Sequence, residues 1–175
     1  YIYTATQNFD PNSDMYDYTR YGVFDGTSFS TPIIAGIAAL VKQAHPGYTP
    51  AQIKSAVVNT ATRINVDSEQ LGLLDQGAGL VNAEAAVRSN ITVDPATISF
   101  GRITSTNLPT PRATLNINGD NWNASVDQTI PAAGVTIRTE RRGSQLDVWL
   151  EGSLPQAGVY HGAIVITGGA VDLRV

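Results

Sequence analysis

Residues 26–36 read Gly-Thr-Ser-Phe-Ser-Thr-Pro-Ile-Ile-Ala-Gly, a serine among small residues that runs into a proline and then an apolar stretch. Pro32 is tolerated in the first turn of a helix, where its missing N–H would have no helical partner, so the helix begins close to Ser28. Ile33, Ile34, Ile37, Ala38, Leu40 and Val41 point in every direction about its axis, and a helix apolar all round needs cover on all sides. Gly36 and Ala39 would let neighbouring backbones approach closely. The pattern predicts a helix threaded through a domain centre and ended after about Ala44 by His45-Pro46-Gly47. A helix start carries unpaired N–H groups and the positive end of the dipole, so a hydroxyl there faces surroundings that favour a developing oxyanion. Ser28 sits at that point.

Upstream, Tyr1 to Thr6 alternates bulky and small residues, Asp10 to Asp17 is dense in turn formers, and Tyr21 to Phe24 leads into the motif. This predicts strand, loop, strand. Asp10, Asn12 and Asp14 show the opening of a calcium loop, but Met15 stands at the glycine position and Tyr21 at that of the closing Glu. The EF-hand pattern fails, and a carboxylate-rich turn is the expectation. Downstream, Thr49-Pro50-Ala51-Gln52 has the form of a capping box. Ile53, Ala56, Val57 and Thr60 follow at helical spacing, with Lys54 on the outer side. A loop from Thr62 to Gly79 carries Leu71, Leu73 and Leu74, and Asn82 can cap a short helix through about Arg88.

After Asn90 helical periodicity stops. Ile91–Val93, Thr97–Phe100, Ala113–Ile117, Trp122–Val126, Val135–Ile137, Leu146–Leu150, Val159–Ile166 and Val171–Val175 read as short strands. Turn signals separate them at Asp94-Pro95, Gly119-Asp120-Asn121, Gly143-Ser144, Gly152 to Pro155 and Gly168-Gly169. This number of short strands predicts an antiparallel β-sandwich over residues 91–175. Trp122 is in phase with Ala124 and Val126 and reads as core. Trp149 is out of phase with Leu146, Val148 and Leu150, and so reads as exposed or as the mark of a bulge; an exposed indole could serve a binding surface.

A chain of 175 residues with 42% hydrophobic residues can bury one large or two small cores. A net charge of −4 with eleven Lys and Arg argues against a nucleic-acid partner. The one dense basic cluster, Arg138 to Arg142, reads as a solvated hairpin tip. Cysteine is absent, which excludes disulfides and thiolate metal sites. Ile33 to Val41 is too short to cross a bilayer, and no membrane partner is expected. The start at Tyr1 without Met suggests a processed piece of a longer chain.

Gly26-Thr27-Ser28-Phe29-Ser30-Thr31-Pro32 with Ala35-Gly36 resembles the serine signature of the subtilisin-like serine proteases. The similarity continues in family order through His45-Pro46, the capped helix from Thr49, and Gly77-Ala78-Gly79-Leu80-Val81-Asn82. The resemblance implies an α/β fragment, the C-terminal part of a subtilisin-like parallel-sheet domain, over residues 1–90. An all-β antiparallel sandwich of fibronectin type III or immunoglobulin-like kind would follow over residues 91–175, as such accessory domains commonly do in this family. It implies a Ser-His-Asp endopeptidase with Ser28 as nucleophile, Gly26 and Thr27 shaping its turn, no cofactor, a protein or peptide substrate, and a secreted or cell-envelope location.

The family's Asp, His and oxyanion-hole Asn precede the serine motif, and Tyr1 to Asp25 contains no His. His45 follows Ser28 by seventeen positions on one helix, about 25 Å at ~1.5 Å per residue, whereas a hydrogen bond needs about 3 Å. His161 lies in a strand-like run elsewhere and reads as an exposed strand His. The chain alone is therefore expected to be inactive, and to associate with the remainder of the catalytic domain, to self-associate, or to keep residues 1–90 poorly ordered. The competing reading is a non-catalytic scaffold or interaction module. An esterase or β-lactamase is disfavoured, because S-x-x-K is absent and Ser30 stands where G-x-S-x-G needs its last glycine.

Overall fold

The computed structural model describes residues 2–66, 69–70, 73–104, 108–128, 134–153 and 158–175. Tyr1, Leu71 and the expected turn residues Leu154 and Pro155 lie outside them. The chain forms two compact units, Tyr1–Gly36 and Ile37–Val175.

In the first unit, β1 (Ile2–Ala5) pairs antiparallel with β2 (Tyr21–Phe24), Ile2 opposite Phe24 and Ala5 opposite Tyr21. Side chains alternate across a strand, so Ile2, Thr4, Gly22 and Phe24 share a half-buried face while Tyr3, Ala5, Tyr21 and Val23 share an exposed one. The Tyr3 and Tyr21 rings stack on that outer face, 5.5 Å between centroids. The intervening carboxylates act as turn acceptors: Asn12 N–H donates to Asp10 Oδ1 at 3.1 Å and Thr19 N–H to Asp17 Oδ1 at 2.8 Å. The Thr19 hydroxyl and N–H hold the Asp17 carboxyl below its usual range.

Helix α1 (Thr27–Ala44) begins in the first unit and contains Pro32 in its second turn. Ile37 and Val41 are its buried residues, and Ile33, Ile34 and Leu40 remain exposed at 46%, 39% and 49%.

The second unit continues with α2 (Pro50–Asn59), β3 (Asn65–Val66), β4 (Glu69–Gln70), α3 (Leu73–Gln76) and α4 (Ala83–Arg88). The expected capping box is present: Gln52 N–H donates to Thr49 Oγ1 at 3.3 Å and Thr49 N–H to Gln52 Oε1 at 2.9 Å. Asn82 Oδ1 accepts the Ala85 N–H at 3.0 Å and so starts α4. Ile37, Val41, Ala56, Val57 and Ala86 form one helical core.

The strand-rich part comprises β5 (Thr92–Asp94), β6 (Ala113–Asn118), β7 (Asn123–Asp127), β8 (Val135–Arg142), β9 (Gln145–Gly152), β10 (Ala163–Thr167) and β11 (Leu173–Arg174). One sheet has the order β5-β6-β9-β8 and another β11-β10-β7. Among the described residues every ladder is antiparallel. Both sheets feed one apolar cluster: Val93, Leu115, Ile117, Leu146 and Val148 from the first, Ile164, Ile166 and Leu173 from the second, with Trp122 and Ile91 beside them.

Thr97–Phe100 differs from the strand expected there and joins no ladder. Ile98 and Phe100 still pack against the core, so their alternation reflects burial without pairing. Trp122 is core, 2% exposed, and Arg141 caps it, with Cζ 3.8 Å from the ring centroid and Nη1 donating to the Trp122 carbonyl at 2.6 Å. Trp149 is half-buried: Arg112 Cζ lies 4.2 Å from its ring centroid, and Nε1 donates to Glu151 Oε1 at 2.7 Å.

The 138–142 cluster lies on β8 just before the Gly143-Ser144 turn and is tied down. Arg142 and Arg112 both pair with Asp147, whose side chain is fully buried, and Thr114 Oγ1 donates to it at 2.8 Å. The Arg142 guanidinium first, then the Thr114 hydroxyl, hold the Asp147 carboxyl below the usual carboxylate range.

A buried polar link joins α2 to the strands. Ser55 Oγ donates to Asn59 Oδ1 at 2.8 Å and accepts the Val93 N–H at 2.7 Å; Asn59 Nδ2 donates to the Ala96 and Arg174 carbonyls at 2.7 and 2.8 Å. Both side chains are essentially water-free, and every bond replaces one that solvent would otherwise supply.

Candidate functional site

Ser28 is the second residue of α1 and is exposed. Strand β2 ends at Phe24, and the chain turns through Asp25 and Gly26 into the helix. Gly26 has φ +142°, a region that side chains with a Cβ rarely enter, so the change of direction between strand and helix requires glycine. Phe29 N–H donates to Gly26 O at 3.0 Å and closes the turn, and Thr31 Oγ1 donates to Thr27 O at 3.3 Å.

The first N–H groups of a helix have no intrahelical acceptor. Ser28 N–H finds none among the described residues, and its hydroxyl likewise has no hydrogen-bond partner among them. Hydroxyl and open N–H thus sit on one exposed residue at the positive end of an 18-residue helix. Phe24 and Phe29, on either side of it in the sequence, stack on each other as a near-parallel pair, centroids 6.0 Å apart and 8° from parallel. Gly26 and Thr27 alone do not reveal this aromatic pair; its signal in the sequence is the five-residue spacing of Phe24 and Phe29 across a strand-to-helix turn.

The unit that holds Ser28 contains four aspartates and no histidine. His45 follows the last residue of α1 and is engaged in its own unit: Nε2 lies 2.7 Å from the Val87 carbonyl and its ring stacks on Tyr48 at 4.4 Å. A carbonyl only accepts, so His45 Nε2 carries the proton. His161 is half-buried beside β10, where residues 158–162 join no ladder.

A serine hydroxyl thus stands exposed at the mouth of a helix, after a glycine turn. Residues 4–87, just under half of the chain, match the family model of the subtilase family. The chain is similar to the subtilisin-like protease SBT3.1 of Arabidopsis thaliana, 43% identical over 86 residues that cover 43% of this chain and 11% of that protein. It is 47% identical over 68 residues to the alkaline elastase YaB of Bacillus sp. (strain YaB), covering 39% of this chain and 16% of the relative. To the minor extracellular protease Vpr of Bacillus subtilis (strain 168) it is 29% identical over 163 residues, 85% of this chain and 20% of that protein. That similarity extends beyond residue 87 into the strand-rich part. The chain thus spans between about a tenth and a fifth of the length of these relatives.

No helix among the described residues is long and apolar enough to cross a membrane.

Proposed function

We propose that Ser28 is the nucleophile of a subtilisin-like serine endopeptidase, and that this chain supplies it to a catalytic site completed by residues beyond these 175. The observation that carries the reading is the exposed Ser28 with its unpaired N–H at the start of α1, within the segment that matches the subtilase family. The Ser28 hydroxyl attacks a peptide carbonyl, a histidine from elsewhere in the protein takes its proton, and an aspartate orients that histidine. The Ser28 N–H stabilises the oxyanion, together with a second donor outside the chain.

The chain alone is inactive in this reading, because residues 1–36 hold no histidine and His45 Nε2 is committed to Val87. The exposed Ile33, Ile34 and Leu40 of α1 would be covered by the remainder of the catalytic domain or by self-association. Residues 91–175, with two antiparallel sheets around one core, are read as an accessory β-sandwich of fibronectin type III or immunoglobulin-like kind. Secretion is proposed by analogy with the minor extracellular protease Vpr.

A fluorophosphonate probe tests the assignment. It is expected to label the full-length protein at Ser28, to fail on Ser28→Ala, and to leave the isolated 175 residues unlabelled; rapid stoichiometric labelling of the isolated chain would overturn the dependence on outside residues. The second reading, a non-catalytic scaffold, draws on the larger and better closed core of the strand-rich part. Full-length protein inert to the probe and to peptide substrates would favour it.

A further inference from the structure

We propose that Phe24, seated over Gly22, is a positioning residue that fixes how Ser28 is presented at the start of α1. The inference rests on the reading of Ser28 as nucleophile. Gly26 is the softest point between strand and helix: it lies at φ +142° and has no side chain to restrict it. One backbone hydrogen bond, Phe29 N–H to Gly26 O, closes the turn. A hinge of this kind leaves the direction of the helix start loosely set unless something else ties the two elements together.

The aromatic pair is that tie. Phe24 is the last residue of β2 and Phe29 is the residue after Ser28, so their stack spans the segment that contains the hinge and the nucleophile. Phe24 reaches this position by lying back along its own strand. A Cβ at Gly22 would stand 2.6 Å from Phe24 Cζ and 2.7 Å from Cε2, closer than packed atoms approach. The requirement at Gly22 is therefore for space, in contrast to the conformational requirement at Gly26. Gly22, Phe24 and Phe29 form a chain of contacts from the hairpin to the residue bonded to Ser28.

The absence of cysteine from the sequence makes a direct test possible in the 175-residue chain without the missing catalytic groups. Ser28→Cys introduces a single thiol, and the pH dependence of its alkylation by iodoacetamide reads its thiolate fraction. Held at a helix start, the thiol titrates below the ~8.5 of a free cysteine. Adding Phe24→Ala is expected to return it toward that value and to slow alkylation at neutral pH by about threefold, half a pH unit of titration. Gly22→Ala, which displaces the ring and keeps both phenylalanines, is expected to act in the same direction. Phe24→Tyr, which preserves the stack, leaves the profile unchanged.

Far-ultraviolet circular dichroism on each variant separates loss of positioning from loss of the helix. An unaltered profile in both Phe24→Ala and Gly22→Ala overturns the proposal, as does a parent thiol that already titrates like a free cysteine. Failure of the nucleophile reading appears elsewhere, as full-length Ser28→Ala that keeps its activity, and leaves this titration as it is.

Discussion

The hairpin and helix start of residues 1–36 and the strand-rich residues 91–175 treat apolar side chains in opposite ways. In the first, Tyr3, Phe9, Tyr18 and Val23 are all more than half exposed, and the outer hairpin face consists of Tyr3, Ala5, Tyr21 and Val23. In the second, Leu115, Ile166, Leu173 and Trp122 are sealed from water, and even the buried carboxylate of Asp147 has two arginines and a threonine around it. The strand-rich region closes its own core. The segment that carries the candidate nucleophile leaves apolar side chains exposed, which the proposed cover by residues from elsewhere would bury.

Truncation of the core tests this contrast with the largest effect. Leu115→Ala removes a fully buried side chain and is expected to cost about 2–5 kcal/mol in urea unfolding of the 175-residue chain. Ile33→Ala, at a half-exposed position, should stay within about 0.5 kcal/mol in the same chain. In full-length protein Ile33→Ala should become costly; an equally small effect there would break the idea that α1 is covered by other residues. Asn59→Ala follows in size. It deprives the Ala96 and Arg174 carbonyls and the Ser55 hydroxyl of their partner, at about 1–3 kcal/mol for each buried group left unsatisfied. The loss should appear both in tryptophan fluorescence, which reports only the strand-rich part, and in helical circular dichroism. Thr49→Ala comes next: losing the capping hydroxyl of α2 is expected to cost about 1 kcal/mol.

Much of this was readable from local chemistry. Thr49-Pro50-Ala51-Gln52 specifies its own cap, Asn82 does the same for α4, and the β1–β2 hairpin follows from alternation on both sides of a turn-rich loop. The helix following Ser28 was legible from the apolar run, but Pro32 lies in its second turn and not the first, because α1 already begins at Thr27. What escaped depends on partners distant in sequence. Thr97–Phe100 alternates like a strand yet finds no neighbour to pair with. The basic run at 138–142 lies exposed at a hairpin end as expected, but the Asp147 carboxylate that β9 brings to Arg142 was not legible, and Trp149 looks free until Arg112 lies across it. Ser55 and Asn59 pass for ordinary polar helix residues, because the Val93, Ala96 and Arg174 groups they meet lie 37 to 115 positions away. The Phe24–Phe29 stack needs the angle of the turn, which Gly26 permits without dictating.

The smallest expected signal is one of slope and compares an aspartate from each region. Asp17 and Asp147 both have carboxyls held below the usual range, the first by the neighbouring Thr19 hydroxyl and N–H, the second by Arg142, Thr114 and Arg112. A carboxyl whose folded pKa is depressed binds its proton more readily in the unfolded chain. Its contribution to stability is therefore complete above the unfolded value near about 3.9 and fades as pH falls through the lower folded value. For Asp147 the partners come from β6, β8 and the residue before β6, so they are gathered only by folding. Asp147→Asn should flatten the fall of thermal stability below about pH 4. The Asp17 partner is two residues away, and a contact so local persists in part in the unfolded ensemble, so Asp17→Asn should leave the acid limb close to that of the parent. Equal flattening by both substitutions, in melts from neutral pH down to pH 2, would mean that the loop of residues 6–20 unfolds in the same cooperative step as the strand-rich core. The two regions would then be coupled more tightly than their different burial implies.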